Sequence, residues 1–185
     1  VAVVFGAGTY TFSASTTIPA NISIKVEQGG KLTPATGTTL TINGQFEAGH
    51  YQAFSNATAG LGTVIFGGVL PPQIDPIWWL GPTCYDNATD CAAATQAAVN
   101  SIGSTSAAIS QRSGGEILIS GSMAIGSPIL IEQKSTCVVG NGPGNVMATI
   151  PPSSSVRWIG VASTHPMFEV KNVLRTSCFK RLRIY

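Results

Sequence analysis

Charge is what this sequence has least of. Of its 185 residues only 10% are Asp, Glu, Lys or Arg, against roughly 25% in an ordinary soluble domain. A chain so poor in charge, and 44% hydrophobic, does not read as disordered, because disordered chains are charged and poor in apolar side chains. The net charge of +2 is too small to point to a nucleic-acid partner. Long apolar runs are missing too. None approaches the ~20 residues that span a bilayer, so no membrane insertion is expected. No charged segment precedes the apolar opening Val1-Ala2-Val3-Val4-Phe5, and there is no signal-peptide pattern. With no Met at its start, the sequence reads as beginning inside a longer product.

Chemistry-bearing residues are scarce as well. His50 and His165 have no Ser or Cys partner at a motif spacing, so a nucleophilic triad is unsupported. Cys84, Cys91, Cys137 and Cys178 follow no metal-ligand spacing, and neither a metal nor a cofactor is expected. Cys84 and Cys91 are close enough in sequence for a small loop disulfide in an oxidising compartment. Otherwise all four are small buried apolar side chains. Gly140-Asn141-Gly142-Pro143-Gly144-Asn145 lacks the Lys-Ser/Thr ending of a phosphate-cradling loop and reads as a tight turn. The three Asn-x-Ser/Thr triplets, at Asn21, Asn56 and Asn87, are what chance gives in a chain rich in those residues.

Acidic residues number eight. Glycan hydrolysis commonly needs two carboxylates across one bond, and Glu116, Glu132 and Glu169, on or beside expected strands, are the ones that could share an outer face. Surface placement is the simpler reading. Lys171, Lys180, Arg181 and Arg183 cluster late, with Arg181 and Arg183 alternating with Leu182 and Ile184 as on a solvated strand face.

What is abundant is turn-forming residues and short apolar runs. The 21 glycines, with many Ser, Thr and Asn, favour frequent turns over long helices. Thr9 to Phe12, Ile22 to Val26, Leu40 to Ile42 and Val64 to Phe66 read as short strands. Val26-Glu27-Gln28-Gly29 and Ile42-Asn43-Gly44 look like one strand-and-turn motif used twice. Strands this short need neighbours, and recurring apolar faces suggest stacked coils, each covering the last. Leu70 to Pro76, with three prolines, breaks the pattern. Ala92 to Ile102 is the one convincing helix. Cys91, Ala94, Ala98 and Ile102 lie on one side, Gln96 and Asn100 on the exposed side, Thr89 or Asp90 is its N-cap, and Gly103 ends it. Beyond Gly114-Gly115 short runs return at Ile117 to Ile119, Ile129 to Ile131, Val138-Val139, Val156 to Ile159, Phe168 to Val170 and Leu182 to Ile184. They fit a parallel stack better than a hairpin sandwich.

The order of motifs resembles a known family. Pro76-Ile77-Trp78-Trp79-Leu80-Gly81, Asp86-Asn87-Ala88-Thr89-Asp90 running into the Ala-rich helix, Gly114-Gly115-Glu116-Ile117 and Val138-Val139-Gly140-Asn141-Gly142 resemble the successive signatures of the pectate-lyase-like (pectate lyase superfamily 3) domain of phage tailspikes. The likeness runs from about Pro76 to the C-terminus, and residues 13–66 look like the coil that often precedes that domain. Asn87 stands where the family has Gly, and Asn tolerates the same left-handed backbone. Cys91 replaces an Asp, Thr95 an Ile, and Gly121-Ser122-Met123-Ala124 a Pro-containing turn.

The resemblance implies an all-β right-handed parallel β-helix with one short N-terminal capping helix at about 90–102. It divides the chain into a β-coil or anchoring region (1–69), a Pro/Trp-rich junction (70–81) and the start of the β-helix domain (82–185). Asp86, Thr89 and Asp90 are expected to cap the helix, which closes one end of the column. Trp79, Tyr85 and Trp158 are the candidates for carbohydrate contact, with one of the adjacent pair Trp78 and Trp79 in the core if they lie on a strand. The implied role is a structural, receptor-presenting segment of a tailspike or tail fibre that recognises host surface polysaccharide. It would be a homotrimer in the virion tail, with other phage tail proteins as partners. The alternatives are a polysaccharide depolymerase with catalytic residues beyond Tyr185, and a non-viral secreted pectate-lyase-like enzyme. Because the strand pattern runs up to Tyr185 without a polar cap, further residues or another chain are expected to cover that end.

Overall fold

A computed structural model describes residues 1–55, 62–103, 115–132, 136–141, 154–161, 166–171 and 177–184. The fold is all-β, and every strand pairing among these residues is parallel. The first eight strands are β1 (Ala2–Phe5), β2 (Gly8–Phe12), β3 (Thr16–Ile18), β4 (Ser23–Val26), β5 (Gly30–Pro34), β6 (Thr39–Ile42), β7 (Phe46–Ala48) and β8 (Thr63–Phe66). They build three sheets, β1-β4-β7, β2-β5 and β3-β6-β8, and a Leu32–Phe54 bridge extends the second sheet between β7 and β8. The chain thus visits the three sheets in the same order three times.

Period-two alternation explains why these segments stack. In β4 and β6 the buried positions are Ile24, Val26, Leu40 and Ile42, while Lys25 points out. Register then lays like on like. Ile18, Ile42 and Phe66 align, as do Phe5, Val26 and Ala48. The two motifs beginning at Val26 and Ile42 therefore belong to different sheets, and are not successive copies of one corner. The turns themselves pile up. Gly44 lies against the Ile22 carbonyl and Gly68 against the Asn43 carbonyl so closely that neither position has room for a Cβ.

The junction is helical, so the strand that would send Trp78 and Trp79 to opposite faces is not formed. Ile77–Leu80 forms a single turn, α1, and Pro82–Tyr85 a 3₁₀ turn. A turn of helix sets Trp78 and Trp79 about 100° apart instead of on opposite faces, and both are buried, at 7% and 2% exposure. They close the base of the first stack with Phe46, Phe54 and Phe66. Ring centroids lie 4.9 Å apart for Phe54 and Trp79 and 5.2 Å for Phe46 and Trp78, and the Trp78 indole donates to the Gly49 carbonyl at 3.1 Å.

A second stack follows. Its strands are β9 (Asp86–Asp90), β10 (Glu116–Ile119), β11 (Ser122–Ile125), β12 (Ile129–Glu132), β13 (Cys137–Gly140), β14 (Ser155–Trp158), β15 (Phe168–Lys171), β16 (Cys178–Lys180) and β17 (Arg183–Ile184). They form sheets β10-β13-β16, β9-β11-β14-β17 and β12-β15, with Ile74 bridged to Ile117 ahead of β10. Two stretches depart from the sequence reading. Asp86–Asp90, read as a helix start, is a strand paired with β11, and Ser122–Ile125, read as the replacement of a turn, is a strand with Met123, Ala124 and Ile125 buried. Asn87 takes φ 57°, a left-handed conformation that Asn tolerates.

Helix α2 (Ala92–Ser101) packs against β8 of the first stack and β12 of the second. It lies between the stacks, not at a free end. The face carrying Cys91, Ala94, Ala98 and Ile102 is buried. Gln96, expected on the exposed side, instead uses its amide as a strand residue would use its backbone. Its Oε1 accepts from Leu130 N at 2.8 Å and its Nε2 donates to Leu130 O at 3.0 Å, so one side chain satisfies the edge of β12 where, among the described residues, no strand precedes it. Replacing Gln96 with Leu should lower the unfolding free energy by about 1–3 kcal/mol, because two strand groups lose their partners. Urea titration of Gln96→Leu beside Gln96→Ala checks this, and an unfolding free energy unchanged in both would show that the pairing contributes nothing.

Candidate functional site

Where the two stacks meet, three side chains distant from one another in sequence, His50, Tyr85 and Ser120, surround one buried carboxylate. Asp75, in the turn leading into α1, is 5% exposed. Its Oδ1 accepts from Ile77 N at 2.9 Å and from the Tyr85 hydroxyl at 2.6 Å, and its Oδ2 accepts from the Ser120 hydroxyl at 2.8 Å. His50, from the loop after β7, places Nδ1 3.5 Å from that same Oδ2 and 3.5 Å from Ser120 Oγ. Its ring lies parallel to Tyr85 with centroids 5.7 Å apart. Ser120 N in turn donates to the Tyr85 hydroxyl at 3.3 Å. A buried carboxylate is tolerable only with such a set of donors.

His, Ser and Asp together invite comparison with a hydrolytic triad, and the geometry rejects it. In a triad the imidazole stands between the other two and uses a different ring nitrogen for each. Here the same Nδ1 faces both, and the Ser120 proton goes to Asp75 directly. The hydroxyl is a tie, not a nucleophile waiting for a base. The cluster therefore fastens the first stack, the junction and the second stack at one point. Sequence reasoning read His50 as isolated because its partners lie tens of positions away.

Burial raises the Tyr85 phenol well above its usual 10.0, and the adjacent Asp75 charge and hydrogen bond push it the same way. The fold holds this proton more tightly than the unfolded chain does. Stability from this group is therefore full below about pH 10 and drains away as pH climbs through the higher folded value. The urea midpoint should fall between about pH 9 and pH 11 by more in the natural chain than in Tyr85→Phe. Parallel slopes would remove Tyr85 from the account.

The other sequence candidates fall as follows. Trp79 has no ring face free for a sugar, Tyr85 is committed to Asp75, and Trp158 is half-buried against the core. Of the three expected helix caps, only Asp90 meets the helix. Cys91 is the N-cap, and Asp90 Oδ1 accepts from Ala92 N at 2.9 Å while also holding Gly126 N at 2.8 Å. Asp86 instead closes its own turn, accepting from Thr89 Oγ1 and N at 2.6 Å and from Ala88 N at 2.8 Å, and these bonds keep its carboxyl below the ordinary range. Glu132 and Glu169 sit on the neighbouring strands β12 and β15, with Lys171 3.0 Å from Glu169. Glu116 lies in another sheet and meets Gln73 at 3.4 Å, so the three do not share one face. Arg183 is on β17, Lys180 on β16 and Arg181 in the turn between. His165 and residues 142–145 of the glycine-rich turn lie outside the described residues.

All four cysteines are paired. Cys84 is bonded to Cys91, and Cys137 to Cys178, with Cα–Cα separations of 5.2 and 4.5 Å. The first ties the 3₁₀ turn to the start of α2. The second joins β13 to β16 at directly opposed positions, a bond that sequence spacing gave no reason to expect. Set against protein-family models, curated proteins and solved structures, this chain finds no match.

Proposed function

We propose that this chain is a right-handed parallel β-helix segment of a tailspike-like protein, with a structural role that presents a surface to host polysaccharide. The observation that carries the reading is the ordered return of the chain to the same parallel sheets, with an apolar column inside and an Ala-rich helix between the stacks. Such a winding suits a long, stiff spike, because each coil rests only on its neighbours. The polar groups of the Asp75 cluster are spent on one another, which favours a holding role over chemistry. In this reading the segment assembles as a homotrimer beside other phage tail proteins in the virion, outside the host cell, and any depolymerase chemistry lies elsewhere in the protein.

The two disulfides favour a second reading, a secreted pectate-lyase-like enzyme, because such bonds form and persist in oxidising surroundings. Native mass measurement separates the two, since a trimer supports the spike and a clean monomer counts against it. Incubating the protein with capsular or lipopolysaccharide glycans and following their length tests the chemistry. Shortened glycan would make this segment catalytic and overturn the presenting role.

A further inference from the structure

A groove of about 420 Å³ runs across the outer face of the β1-β4-β7 sheet, walled by Val69, Leu70, Pro71 and Pro72. Its floor is a rung of the parallel ladder, Val4 beside Lys25 beside Glu47, with Ser23 and Gln45 two positions back along their chains. We propose that this groove is a binding site for a short stretch of uncharged saccharide. The proposal rests on the glycan-presenting reading above and assigns that role to a groove whose one aromatic lining residue, Phe46, is buried.

Three features select the ligand. First, the lining is divided. Val4 and Val69 are 54% and 51% exposed and, with the exposed Pro72, offer an apolar surface for the C–H face of a sugar ring. Ser23, Gln45, Lys25 and Glu47 offer donors and acceptors for its hydroxyls. Second, the charges cancel. Lys25 Nζ and Glu47 Oε1 are 3.8 Å apart, and both side chains are substantially exposed. A pair this open is weakly held and free to turn to a ligand. An anionic sugar reaching Lys25 would meet Glu47 at the same place, so a neutral one fits better. Third, the backbone of β4 is already used by β1 on one side and β7 on the other. At β4, the middle strand of this floor, an extended peptide finds no edge to join, so recognition there runs through side chains, and the peptide arm of the test below covers the outer edges of β1 and β7.

The test uses the whole chain with a panel of neutral gluco-, galacto- and manno-oligosaccharides, an oligogalacturonate as the acidic arm, and a proline-rich peptide. Binding is followed by titration calorimetry. A neutral member should bind, and the Gln45→Ala/Glu47→Ala double variant should weaken it by about tenfold or more. Val69→Asp, in the wall, should do the same while thermal unfolding stays unchanged. Binding that is unaltered in both variants overturns the groove while leaving a glycan-presenting role intact. Tighter binding of the oligogalacturonate, binding of the peptide alone, or no binding at all also overturns it. Neutral-sugar binding that depends on the groove in a monomeric protein upholds the site and removes the spike.

Discussion

Replacing Asp75 with Ala should cost about 3–5 kcal/mol of unfolding free energy, the range for leaving the partners of a buried charged group unpaired. Three donors point at this carboxylate at 2.6–2.9 Å, from Ile77 N, Tyr85 and Ser120. The methyl group of Ala answers none of them, and little water can reach a side chain 5% exposed. For its own proton the Tyr85 hydroxyl is left with the longer contact to Leu118 O at 3.3 Å. Two variants calibrate the number. Tyr85→Phe removes one donor without orphaning the carboxylate, and should cost about 1–2 kcal/mol. Asp75→Asn keeps the shape and one acceptor but turns an N–H toward a donor, so it should fall between the two. Urea unfolding read by Trp78 and Trp79, which follow Asp75 by three and four positions, reports on this seam. An Asp75→Ala loss under about 1 kcal/mol would mean that the cluster is not what fastens the stacks.

The residues that were legible beforehand and those that were not differ in a physical way. Alternation at Ile24 and Val26, or Leu40 and Ile42, is a local pattern, and burial follows it directly. The Ala-rich face of α2 is legible for the same reason. Ser122–Ile125 was not, because Ser, Met and Ala carry little strand preference of their own. That segment is a strand because β9 and β14 lie on either side of it. Trp78 and Trp79 depended on knowing whether the backbone there alternates or coils, and the prolines around them obscured it. The Asp75 cluster was invisible because its members, His50, Tyr85 and Ser120, meet only after both stacks have formed. Gln96 shows the limit most clearly. A polar residue on a helix reads as solvent-facing, and only the bare edge of β12 gives it another occupation.

The Cys137–Cys178 bond should matter more than the Cys84–Cys91 bond, although the second sits beside the helix and looks the more structural. The reason lies in the unfolded chain. Cys137 and Cys178 are 41 positions apart and Cys84 and Cys91 are 7 apart. In the chain-entropy treatment, closing the longer loop contributes about 4 kcal/mol and the shorter about 2.4 kcal/mol. The longer bond also joins β13 to β16 across a stretch where the coils are unequal in length, since Glu116 pairs with Cys137 but Cys137 pairs with Cys178. Local register there has less help from regular repetition than it has in the first stack. Cys137→Ser/Cys178→Ser should therefore lower the urea midpoint by more than Cys84→Ser/Cys91→Ser, with the difference between the two pairs near 1.5 kcal/mol. Full reduction of the natural chain should cost about the sum, provided the two sites act independently. The opposite order would show that holding the 3₁₀ turn against α2 in the folded state outweighs the entropy of the longer loop.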